Sequence, residues 1–411
     1  MLQALEGLRV IEFSAGMAGP WIGRFMAYCG AEVIRVESIK RPEVSRQYVP
    51  PWAPELGTQP ELSPWFTDWN AGKRFVALDL TQPKAVELSK RIVTLCDVVV
   101  ENYSSGVMHK LGLGYPELKR VRPDLIMLSS SGYGDSGPYS SYVTWGPNIE
   151  ALAGLSQLSG FPQRECTMTQ YAYPDAVSAL QGLFAVMCAL DHRGRTGRGQ
   201  YINLSQFEAT VSVVGHVMLE YLANDREPQK RGNSSPRAAP HGCYRCRGED
   251  RWCAIAVFTD SEWESLCNVI GRAEAAADPR FATLSARLEH ESELEHLIED
   301  WTKQRDAYEV MTALQGAGIA AGVVQNTEDL MQRDRQLNAR GFFEEIEHLK
   351  KGKVIATGIP LGLTGTPGRS GRSGAAVGQD NAYVFGELLG MSPQEIQQGI
   401  ELGAIETGPQ P

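Results

Sequence analysis

Residues 8 to 37, LRVIEFSAGMAGPWIGRFMAYCGAEVIRVE, restrict the possible folds more than any other stretch. An apolar run, a turn rich in small residues, a helical apolar period, a stop at Gly30 and a second apolar run make one βαβ unit of about 30 residues. Parallel strands need a long crossover that covers a face of the sheet, so the unit predicts a parallel sheet. A second unit follows: FVALDL (75–80) as strand, QPKAVELSKRIVTLC (82–96) as helix with Pro83 in its first turn, and DVVVEN (97–102) as strand. DLIMLSSSGYG (124–134) adds another strand, so the first 135 residues read as doubly wound α/β.

The first turn, SAGMAGP, invites comparison with dinucleotide-binding loops, and Glu37 lies about where a ribose-binding acid would. Gly16 and Gly19 lack the GxGxxG spacing that admits a pyrophosphate, which leaves a tight turn or a ligand lying over the loop. Lys73 and Arg74 follow a glycine turn just before a strand and are candidates to meet phosphates; most other basic residues read as solvated faces.

From Ala151 to Leu222 the pattern turns helical, with YAYPDAVSALQGLFAVMCAL (171–190) and LSQFEATVSVVGHVMLEYLAN (204–224) as its apolar segments. Residues 225 to 243 are rich in Pro, Gly and charge, a linker or an active loop. CYRCRGEDRWCAIAVF suits two strands joined by a turn at Gly248; it contains a CxxC, yet the second ligand pair of a zinc site is missing. A smaller unit runs to about residue 325, and the extended segment and two helices that follow fold back on the first domain; no internal repeat is visible.

Asp175 stands at the mouth of a nearly uncharged run. Stripping water from a carboxylate costs several kcal/mol, so the group must be paired, capped or used. As a helix N-cap it would accept a backbone N–H bond; as a nucleophile it would be a desolvated carboxylate beside helix N–H groups able to bind a developing oxyanion. Spacing does not separate the two.

A net charge of −10 argues against nucleic-acid and membrane-surface binding. Eight scattered cysteines do not make a disulfide framework. No stretch reaches the ~18 uncharged apolar residues of a membrane span, and MLQALEGLRV does not read as a signal peptide. A cytoplasmic location is expected.

GLRVIEFSAGMAGP, GAEVIRVES, NAGKRFVALDL, DVVVENYSSGVMHKLGLGY, YPDAVSALQGL, RTGRGQYINLSQFEA and LLGMSPQEI, in order along the chain, resemble the class III CoA-transferases, the formyl-CoA and carnitine CoA-transferase family. The resemblance implies an α/β protein: a large Rossmann-like, CoA-binding domain built from both chain ends (1–224 and 326–411), a smaller α+β domain between them (225–325), and an interlocked dimer. It implies Asp175 as the nucleophile, coenzyme A as co-substrate, and no tightly bound cofactor or metal. CoA contacts are implied at Arg41, Arg74, Leu78, Asn102, Tyr103, Lys110 and Leu111, with Lys110 replacing the family's common arginine and Ser38 a usual base. A substrate pocket is implied at Ala15, Gly16, Met17 and Gly232, with loop 231–240 as a lid or a mere linker.

An epimerase on the same fold uses a histidine where this chain has Pro147, which carries no proton, so CoA transfer is favoured. Ala15 and Met17 replace the histidine and glutamine of oxalate-specific members, which points to a larger or more apolar acceptor acid, such as an aryl- or alkyl-substituted succinate. RPEVSRQYVP (41–50), the 235–258 region and the context GRTGRGQYINLSQFEA (194–209) most resemble a subfamily that includes succinyl-CoA:benzylsuccinate CoA-transferase subunits. A homodimer, a heteromer with a related subunit, and a non-catalytic CoA-binding subunit all remain open.

Overall fold

The computed structural model describes residues 3–48, 60–374 and 376–407. The chain divides into two compact units, one of Met1–Ser156, Met168–Arg226 and Leu337–Pro411, the other of Gln157–Thr167 and Glu227–Gln336.

The first unit is built on a parallel sheet of β1 (Arg9–Phe13), β2 (Glu32–Glu37), β3 (Arg74–Ala77), β4 (Val98–Glu101), β5 (Ile126–Ser131) and β6 (Tyr201–Ser205), in the order β3-β2-β1-β4-β5-β6. The Val- and Ile-rich runs of β1, β2, β4 and β5 are buried on both faces, as parallel strands under helices must be. One face packs on Leu88, Ile92, Phe385 and Ile405; the other packs on Ile22 and Met26 of the helix Ala18–Tyr28 (α1) and on Ala179 and Val186 of the long helix Tyr173–Thr196. Strand order reverses between β1 and β4, so the loops leaving their carboxyl ends diverge and open a crevice, the usual ligand position in such sheets.

β6 corrects the helical reading of 151–222. It is an edge strand whose outer residues are exposed, so its short polar sequence carries little apolar signal. The segment 204–224 is also not one helix: it breaks at Val214 into Gln206–Val213 and Gly215–Asn224. The long helix has a window of mean hydropathy 1.3 and meets the length and composition of a membrane span, against the expectation that no stretch comes near. Its Ala179, Gly182, Val186 and Ala189 are buried, and a Cβ on Gly182 would stand 3.0 to 3.2 Å from Leu128, Ile22 and Leu204, so this face is pressed onto the sheet and α1.

The second unit holds an antiparallel sheet of β7 (His241–Arg245), β8 (Trp252–Ala256) and β9 (Ala320–Val323). It encloses its own core around Trp263, Leu266, Leu294, Ile298, Val310 and Leu314. The three cysteines at 243, 246 and 253 lie on or beside the β7–β8 hairpin; among the described residues no group of three or more His, Cys, Asp and Glu is placed to hold a metal. In the first unit, Leu337–Pro411 adds a hairpin of β10 (Phe343–His348) and β11 (Gly352–Thr357). The chain then returns to β3: Leu78 and Ile405 form an antiparallel bridge, and Ala77 O accepts from Glu406 N–H at 3.0 Å.

Candidate active site

Asp175 is not the N-cap of the long helix. That position belongs to Ala172, without a capping side chain, and Asp175 is a helical residue of the first turn. Burial pushes its carboxyl up to about 6, while the backbone N–H of Ala18, at the start of α1, and its own N–H pull the other way. A Cβ on Gly146 would stand 2.6 Å from Asp175 Oδ2, so only glycine leaves the carboxylate its place. Asp175 lines a cavity of about 470 Å³. Ala15, Gly16 and Met17 enter it from the β1 turn, Asn102 to Ser105 from the end of β4, Ser131 to Tyr133 from β5, and Gln206 from just after β6. Trp65, Trp69, Tyr142 and Trp145 make its aromatic side.

A second hollow of about 450 Å³ opens at the carboxyl ends of β2 and β3, lined by Ser38, Arg41, Leu78, Asp79 and Leu111 among others. The two share Ala15, Val44, Tyr103, Ser104 and Trp145 as common wall. The crevice at the strand-order reversal therefore holds a long path with a desolvated carboxylate at one end. This shape suits an extended ligand whose reactive group meets Asp175.

The sequence pattern of CoA-transferase family III matches residues 5–381. The chain belongs to this family. It is 31% identical over 392 residues to a succinyl-CoA–D-citramalate CoA-transferase of Chloroflexus aurantiacus, covering 95% of this chain and 96% of that one. It is 30% identical to a succinate–glutarate CoA-transferase of Agrobacterium fabrum (93% and 95% covered) and to a succinyl-CoA–L-malate CoA-transferase alpha subunit of Chloroflexus aurantiacus (96% and 91%). The crystal structure of a CAIB/BAIF family protein from Brucella suis superposes with a TM-score of 0.85 at 30% identity, covering 94% of this chain and all of that one. The protein is a family III CoA-transferase, an enzyme acting on CoA thioesters.

Within this CoA-transferase, the expected CoA contacts separate. Arg41, Leu78 and Leu111 line the second hollow, Asn102 the first, and Tyr103 both. Lys110 is exposed on the short helix Val107–Lys110, beside the lining residues Val107 and Leu111. Arg74 is not brought to the path. It starts β3, at the opposite edge from the strand's carboxyl end, where it pairs with Glu32 and Asp380 and lies 3.9 Å from the Tyr383 ring. Lys73 is not available to phosphates either: it is fully buried, bonded to Glu12, Asn70 Oδ1 and Pro20 O. Burial, with Arg35 nearby, pushes its pKa down to about 8 against the pull of Glu12. Glu37 spends both carboxylate oxygens on Arg46, so it is not a free ribose acceptor.

Asn102 has a further role that sequence reasoning missed. Its side-chain amide accepts from Ala15 N–H and donates to Ala15 O, each at 2.8 Å, and so fixes the turn beside Asp175. Gly232 lies in the second unit, where it lines a separate hollow with His241 and Cys243; its N–H donates to Gly160 O at 3.0 Å. Three other features went unread: Gly146, the tryptophans, and the buried ion pairs of Glu12, Arg35 and Glu43. The clue for the last was in plain view, a charged residue inside each of the apolar runs VIEF and VIRV.

Proposed function

We propose that this enzyme moves CoA from a donor acyl-CoA to a free carboxylic acid through covalent intermediates on Asp175. The carboxylate attacks the thioester carbonyl, forming an acyl-aspartyl anhydride and releasing CoA thiolate. Thiolate attacks the aspartyl carbonyl, giving an aspartyl-CoA thioester and the free donor acid. The acceptor carboxylate displaces CoA to form a second anhydride, and thiolate attacks the acceptor's acyl carbon, which yields the new acyl-CoA and restores Asp175. Each step passes an activated carboxyl onward without ATP, and a sheltered site keeps water from hydrolysing the intermediates.

The observation that carries this reading is Asp175 itself, a carboxylate raised by burial, facing the Ala18 N–H at the end of a path long enough for an extended thioester. Succinyl-CoA as donor is supported by the names of the similar enzymes. A bulky apolar or aryl acceptor is supported by Trp65, Trp69, Tyr142 and Trp145 in the cavity, whose lining among the described residues contains no Lys, Arg or His. Ser105, Ser131 and Gln206 are among the neutral polar groups that would meet a second carboxylate. A cytoplasmic location and an interlocked assembly belong to the same proposal. Exchange of labelled succinate into succinyl-CoA tests the chemistry: Asp175→Asn should lose at least ~10³-fold in rate, as removal of a covalent nucleophile does, and an unchanged rate would end the proposal.

A further inference from the structure

Between β1 and α1, each backbone polar group from Ser14 O to Gly16 N is held by a side chain. Ser14 O accepts from Arg35 Nη2 at 3.0 Å, Ala15 is bonded through both its N–H and its C=O to Asn102, and Gly16 N–H donates to Glu43 Oε1 at 3.0 Å. Glu43 Oε1 also accepts from Ser45 N–H at 2.9 Å, and Oε2 pairs with Arg35. Arg35 is fully buried and anchored in turn to Glu12 at 2.7 Å and Asn70 at 2.8 Å. Glu12 and Glu43 hold its guanidinium above the ordinary arginine pKa although burial works against the charge. Two residues farther on is the Ala18 N–H that faces the nucleophile.

Glu43 is therefore in two places at once. Its carboxylate fixes the turn that lines the Asp175 cavity, and the residue itself, with Arg41, Pro42 and Val44, forms part of the wall of the hollow at the β2 and β3 ends. We propose that Glu43 is a positioning residue that couples occupation of this hollow by the nucleotide end of CoA to the placement of the turn facing Asp175. The proposal rests on the transferase reading above. A ligand that orders Arg41 to Val44 orders the acceptor oxygen on which Gly16 N–H depends, so binding energy gained far from the thioester is spent where the bond changes occur. Remote interactions used in this way raise kcat, and truncated substrates lose it.

The test compares succinyl-CoA with succinyl-pantetheine, which lacks the nucleotide, as donors. For the wild type, kcat should favour the full donor by about 100-fold, the mark of remote binding energy used in the transition state. Glu43→Ala should bring that ratio to about 5-fold or less by lowering kcat for succinyl-CoA alone, with KM moved less than about threefold. Glu43→Gln, which keeps an acceptor oxygen for Gly16 N–H, should retain most of the ratio. Equal losses with both donors would mean a structural role, and a loss confined to KM a direct CoA contact; either overturns the proposal. Should Glu43→Ala fail to fold, hydrogen exchange of the wild type decides: adenosine 3′,5′-bisphosphate should slow exchange in the peptide containing Gly16, and no slowing overturns the proposal. Failure here leaves the Asp175→Asn result untouched, so the two readings fall separately.

Discussion

Asp175 is held in a state that is poor for stability and, under the proposed mechanism, suited to attack. Its carboxyl is pushed up to about 6 by burial, so the folded protein binds a proton more readily than the unfolded chain. The penalty for keeping the group charged is absent below the ordinary carboxylate range near ~4 and fully present above about 6. Two consequences can be measured. The rate of acyl transfer to the enzyme should rise with pH through about 6 and level off above it, because only the ionised form attacks. Asp175→Asn should raise the melting temperature at pH 8, by up to about 2 to 3 kcal/mol in stability, and the gain should shrink as pH falls toward 4.5. A thermal-melt series of both proteins over that range checks the sign. Lys73 shows the opposite economy: a cation the sequence suggests for phosphate is sealed under the sheet, where Glu12 keeps it paired.

Gly146, at the start of the short helix Gly146–Leu152, shows how one element defends the placement of another. An alanine there would set a methyl group 2.6 Å from Asp175 Oδ2, which the first turn of the long helix can relieve only by moving the carboxylate. Gly146→Ala should lower kcat by about 100-fold, the scale of loss from misplacing a reacting group by an ångström. Circular dichroism and melting temperature should stay near wild type, since the cavity can take up the shift. The elements that carry the site were unevenly legible. β1, β2, β4 and β5 announce themselves as unbroken apolar runs because they are buried on both faces. β6 and β10 do not: YINLS lies at the sheet edge and FEEIEH pairs on one side only, so both keep polar and charged residues. Asp175 was visible as an anomaly in residue composition, but the role proposed for it came from the family resemblance, and its position inside the helix rather than at the cap needed the backbone. Arg74 was legible as the residue that begins a strand, and in a parallel sheet that position lies at the amino edge, opposite the carboxyl ends where ligands bind. The turn's supports at positions 35, 43 and 102 come from three separate loops and strands, and no local pattern joins them.

For the molecule as a whole, the outer face of the long helix and the helices after β6 carry apolar side chains left exposed among the described residues. Leu180 and Phe184 stand one turn apart, with Phe184 71% exposed, and Leu219 and Leu222 on the helix Gly215–Asn224 are 66% and 77% exposed. Exposed large apolar residues are the kind of surface that association buries. They fit the expected assembly of two related chains, and some similar enzymes are named as alpha and beta subunits. Each such residue buried at an interface contributes on the order of 1.5 to 3 kcal/mol, so charge placed at two of them should abolish association without disturbing the face of the helix that packs on the sheet. Light scattering of the purified chain should give twice its 45.1 kDa mass. Phe184→Glu with Leu222→Glu should give the single-chain mass while far-ultraviolet circular dichroism is retained. A wild-type chain that is monomeric alone and reaches full mass and activity only with a second, related polypeptide would instead identify this surface as the seat of a different subunit. A double variant that still forms the dimer would place the interface on another part of the molecule.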